Sequence, residues 1–157
     1  MTGQSTDGRY SARNSSVESN IDAVAEDTRT NKNSLTAAME LIDESIRTLP
    51  DSIEVLAKRA DRKGIKDLLA LTETACSDAE TFRAQKKAID DRFDRLEQER
   101  PKKPGQFADK HHRLFKCGSE YIELNQQVMR RGGDLVAQIA ELIDPDLKET
   151  PTEEAQV

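Results

Sequence analysis

The chain of 157 residues has no tryptophan, four phenylalanines and two tyrosines, so aromatics make up only 4% of it. A thick globular core, which draws much of its bulk from aromatic side chains, is not available to such a sequence. Two cysteines, Cys76 and Cys117, are too few for a disulfide framework. No window approaches the roughly eighteen consecutive apolar residues that a membrane-spanning helix needs. The opening stretch MTGQSTDGRYSARNSS lacks the apolar segment of a secretion signal, so the expected location is the cytoplasm.

The motifs of catalysis are also missing. Gly132-Gly133 lies outside any GxxxxGK[ST] phosphate loop. The only histidines, His111 and His112, are adjacent, and on a helix they point about 100° apart. Cys117 is six residues from His111, which is not a metal-ligand spacing, and no CxxC, HxxxH or Glu-x-x-His pair completes a set. The acids Asp90, Asp91, Asp94, Glu97 and Glu99 alternate with Lys86, Lys87, Arg92 and Arg95, a pattern that reads as a solvated face laced with ion pairs. No metal, no cofactor and no catalytic residue is expected, and the protein is read as not an enzyme.

What the sequence does have is periodicity. Charged residues make up 34% and the hydrophobic set 35%, too much patterned apolar content for a disordered chain. The first periodic segment is predicted as a helix over 16–48. Ser15 and Glu18 form a capping-box pattern at its start, and Pro50 closes it. Its stripe is Ile21, Val24, Leu35, Ile42 and Leu49, widened by Met39 and Ile46, with Thr28 and Asn31 in the intervening slots. A short connecting helix over 52–63 follows, capped by Asp51 and closed by Gly64.

The clearest signal is the next helix, 65–99. Ile65, Leu68, Thr72, Ala75, Ala79, Phe82, Lys86, Ile89, Phe93 and Leu96 keep a three-four spacing over five heptads, as coiled-coil packing requires. The stretch RPKKPG then reads as a hairpin turn. Pro101 and Pro104 bias the preceding residues away from helix, Gly105 tolerates a positive φ, and Phe107 packs back beyond it. The last helices are predicted over 106–131 and 134–143. They are separated at Gly132-Gly133, which costs about 2 kcal/mol relative to two alanines.

These elements define an all-α fold. The expected architecture is an elongated antiparallel bundle of three long helices, or coiled coil, over 15–144, with one short connecting helix. Flexible termini flank it, a tail over 1–14 and an acidic tail over 145–157. Matching antiparallel helices by level brings Asn31, Lys86 and Cys117 into one polar layer, which would disfavour slipped registers. Both thiols are expected to be small buried hydrophobes.

The net charge is −6, which argues against nucleic acid as the partner. The expected function is that of a non-enzymatic structural or adaptor protein, a scaffold working through helix–helix contact with itself or another helical protein. Candidate contacts are the apolar Met39, Leu41, Leu71 and Ile122. The alternative is a regulatory or chaperone-like binding module, for example accessory to a secretion or other macromolecular assembly. It would engage an acidic partner through the segment 100–131, which holds eight bases against three acids. Arg100, Lys102 and Lys103 at the turn are its candidate contacts.

Overall fold

The computed structural model describes residues 2–145, with side chains from residue 17 onward. It is all-α: α1 spans Thr2–Lys58, α2 Arg62–Gln98 and α3 Pro104–Ile143, with no strand among the described residues. The tail expected over 1–14 falls on residues whose side chains lie outside the described set, and the acidic tail lies outside it from residue 146.

Two sequence breaks expected to interrupt helices do not. Pro50 lies inside α1, and residues 52–58, expected in a separate helix 52–63, belong to α1. A mid-helix proline loses one backbone hydrogen bond and crowds the carbonyl four residues back, at about 3 kcal/mol. The apolar repeat explains why the helix continues. Ile21, Thr28, Leu35, Ile42, Leu49 and Leu56 recur every seven residues, and all are buried. Ending the helix at residue 48 would put Leu56 out of phase, and burying one leucine contributes about 1.5–3 kcal/mol. Leu49 and Leu56 together therefore outweigh the proline.

Gly132 and Gly133 likewise sit inside an unbroken α3. The seven-residue repeat Leu114, Tyr121, Val128 and Leu135, all buried, crosses them in phase.

The α1–α2 connection is a Schellman cap. Asp61 donates its N–H to the Leu56 carbonyl and Ala60 donates to Ala57, both at 3.0 Å. Ala60 takes the left-handed conformation, φ 54°, that glycine usually occupies there, at a cost of about 1 kcal/mol. Gly64, expected to close a helix, instead lies in the first turn of α2. Its N–H donates to Asp61 Oδ1 at 2.9 Å, so Asp61 is the cap of α2. At the other connection Pro104 opens α3. Gln106 Oε1 accepts from the backbone N–H of Lys102 (2.8 Å) and Lys103 (3.1 Å).

The chain divides into two compact units, residues 1–35 with 85–124, and residues 36–84 with 125–157. In the second unit Leu49, Leu56 and Leu68 form a fully buried aliphatic cluster, with Ile46, Ile53, Ile65, Leu71, Ile139 and Leu142 packed around it. Arg59 donates to the Ile143 carbonyl and so closes the last turn of α3.

Candidate interaction surface

In the first unit polar groups are buried among the apolar Leu35, Phe93 and Leu114. Thr28, 1% exposed, places its hydroxyl 2.7 Å from the Val24 carbonyl and 3.1 Å from the Leu114 carbonyl of α3, so one proton serves two acceptors. Gly118 lies against it: a Cβ there would stand 3.2 Å from Thr28 Oγ1 and 3.5 Å from Asn31 Nδ2. A few residues away, Asp90 collects groups from all three helices. Tyr121 donates its hydroxyl to Asp90 Oδ1 at 2.5 Å, Lys86 reaches Oδ2 at 2.7 Å, and the Lys32 ammonium is 4.0 Å from Oδ1. The Lys32 ammonium also lies 6.0 Å from the centre of the Phe93 ring, which meets Tyr121 edge-on at 6.2 Å. Burial, and then the hydrogen bond to Asp90, push the Tyr121 phenol well above its ordinary range.

The expected polar layer is thus distributed differently. Asn31 faces Gly118, Lys86 is bonded to Asp90 of its own helix, and Cys117 is buried with its thiol pushed up by that burial. Asp90, read from the sequence as part of a solvated acidic face, is the hub, with its side chain 20% exposed. Cys76 is exposed, contrary to the expectation of two buried thiols.

The turn residues are largely occupied at home. Arg100 donates to the Glu97 carbonyl at 3.0 Å, and Lys110, buried, donates to the Glu99 carbonyl at 2.8 Å. Both satisfy the open end of α2. Arg113 bridges Glu99 (3.1 Å) and Asp109 (3.2 Å). Lys102 and Lys103 offer their side chains to solvent.

Of the four apolar candidates, Leu41 and Ile122 are exposed, at 58% and 47%. Met39 is half-buried beside Phe82 and Ala79, and Leu71 packs on the aliphatic cluster. Five further large apolar side chains, Val55, Leu69, Phe115, Met129 and Val136, are exposed and were not singled out by the periodic pattern. In the second unit Leu41, Met129 and Val136 border an open groove of about 430 Å³ on α1 and α3, whose floor includes Ala38, Gly132 and Gly133. Among the described residues no cluster of three metal-ligating side chains occurs, and no helix is long and apolar enough to cross a membrane.

Comparison of the chain with protein-family models, with curated proteins and with solved structures finds no match.

Proposed function

We propose that this is a structural or adaptor protein without catalytic activity, working in the cytoplasm through helix–helix contact. On this reading the three helices form an up-down-up bundle. The order of contacts in the first unit supports it. Arg29 pairs with Glu97 and Lys32 with Asp90, whereas Thr28 meets Leu114 and Asn31 meets Gly118. Partner numbers on α2 fall as those on α1 rise, and partner numbers on α3 rise with them.

The observation that carries the functional reading is the set of large apolar side chains left on outer helix faces, Leu41 and Met129 above all, in a chain whose other exposed positions are mostly charged, polar or small. Apolar area of that kind marks an interface. The second reading, an acidic partner held by the basic segment 100–131, draws on the exposed Lys102, Lys103, Lys116 and Arg130, because Arg100, Lys110 and Arg113 are engaged within the chain and Arg131 lies 3.9 Å from Asp78.

The test is the salt response of complexes formed by the tagged full-length chain, with itself or with a helical protein from native lysate. Apolar docking survives molar salt, is lost in Leu41→Glu and persists in Lys102→Glu/Lys103→Glu. The opposite pattern would establish the acidic-partner reading, and the absence of any complex would remove both.

A further inference from the structure

The exposed apolar side chains of α3 are not scattered. Phe115, Ile122, Met129 and Val136 are 59%, 47%, 56% and 55% exposed and stand seven residues apart. They form a second stripe on the helix, distinct from the buried repeat of Leu114, Tyr121, Val128 and Leu135. A seven-residue repeat suits another helix wound around it in a left-handed supercoil. Between these large residues, at the alternating three-four positions, stand Ser119, Gln126, Gly133 and Ala140, none of them bulky and apolar.

Gly133 needs an explanation of its own. A glycine inside a helix costs about 1 kcal/mol relative to alanine. Gly132 has an intrachain reason, since a Cβ there would stand 3.3 Å from Ile42 Cγ1. Gly133 has none: a Cβ would meet nothing within 4 Å. It opens instead onto the groove bordered by Leu41, Met129 and Val136.

Resting on the helix-docking reading above, we infer that the outer stripe of α3 pairs with α3 of a second copy, antiparallel and about a two-fold axis near Gln127. In that register each large residue faces a smaller one: Ile122 enters the space over Gly133, Phe115 meets Ala140, Val136 meets Ser119 and Met129 meets Gln126. A two-fold interface repeats each contact, so the groove is filled twice. Charge supports the same choice. Glu123 and Arg130 flank the stripe, both are exposed, and neither has an ion pair among the described residues. The antiparallel register sets Glu123 beside Arg130 of the second copy, twice. A slip of one heptad sets Glu123 against Glu123 and Lys116 against Arg130, placing like charges together.

The experiment is light scattering of the full-length chain over a range of concentrations, with helix content followed by circular dichroism. Wild type is expected at twice 17.6 kDa. Ile122→Glu and Gly133→Leu each return it to the monomer with helix content kept, because both positions are open to solvent and leucine is a good helix former. Glu123→Arg alone weakens the dimer at least tenfold, and Glu123→Arg/Arg130→Glu restores it. A wild-type monomer at every concentration overturns the inference, as does a dimer indifferent to Ile122→Glu and Gly133→Leu, or a failure of the double exchange to rescue. If the chain alone is monomeric but its complexes with another helical protein still depend on Leu41, only the second copy is ruled out and the docking reading stands. If it forms no complex at all, both fall.

Discussion

The two units of the molecule solve the same packing problem with different chemistry. Residues 36–84 with 125–157 are centred on Leu49, Leu56 and Leu68, with isoleucines and leucines around them. Residues 1–35 with 85–124 place a threonine hydroxyl, a tyrosine hydroxyl, a carboxylate and a lysine among their buried and half-buried groups. Aliphatic packing is non-directional, so it stabilises without fixing one register strongly. The Asp90 and Thr28 contacts are directional, so they hold only over a narrow range of distance and angle. Both units thus supply apolar bulk, Leu35, Phe93 and Leu114 in one and Leu49, Leu56 and Leu68 in the other, and the first adds directional contacts.

That contrast can be broken by substitution. The largest effect belongs to the aliphatic unit: Leu56→Ala, at a position 0% exposed, should lower unfolding stability by about 2–5 kcal/mol in urea titration. Asp90→Ala should come next, at about 1–3 kcal/mol, because it leaves the Tyr121 hydroxyl and the Lys86 ammonium without their carboxylate. In the double variant with Tyr121→Phe the loss should be smaller than the sum of the two single losses, since both remove one shared bond. Simple additivity would show that Asp90 and Tyr121 do not act together.

A pair of glycines sharpens the comparison further. Gly118→Ala would push a Cβ to 3.2 Å from Thr28 Oγ1, a hydroxyl held by two carbonyls, and should cost about 1 kcal/mol net of the helix-propensity gain. Gly132→Ala meets only Ile42, which borders the open groove and can turn into it, so its melting temperature should stay close to wild type.

The smallest expected effect is a slope with pH. The Tyr121 phenol is raised in the folded state, so its contribution is fully present below the unfolded value of 10.0 and is lost as pH rises above it. Stability should decline at strongly alkaline pH, and Tyr121→Phe should remove that part of the decline. An unchanged slope would assign it to other groups.

The all-α class and the buried ladder of α2 were legible in the sequence, and the misplaced helix breaks share one cause. The ladder of α2 was readable because nothing interrupts it. Leu68, Ala75, Ala79, Phe82, Ile89, Phe93 and Leu96 are all buried, and Ile65, Thr72 and Lys86 are half-buried at its polar or terminal steps. At Pro50 and Gly132-Gly133 local punctuation outweighed phase in the sequence reading, although Leu49 to Leu56 and Val128 to Leu135 both keep the seven-residue step. The outer stripe of α3 was hidden because each member follows a core residue directly, so the two repeats merge into one broad apolar band. Asp90 was missed for a different reason. Its neighbours Asp91 and Asp94 are solvent-facing acids, and only the partner across the helix pair, Tyr121, distinguishes it from them.

Pro50 has a consequence for motion. With no amide hydrogen to donate, it leaves a gap in the ladder of backbone bonds nearly two turns before Leu56. Hydrogen exchange should see α1 there as two stretches. Amides 51–58, bonded within the last turns of α1 and backed by the aliphatic cluster and the Schellman cap, can open briefly without unzipping the turns before the proline. A helix continuous in its packing is thus segmented in its fluctuations, with the boundary set by one ring.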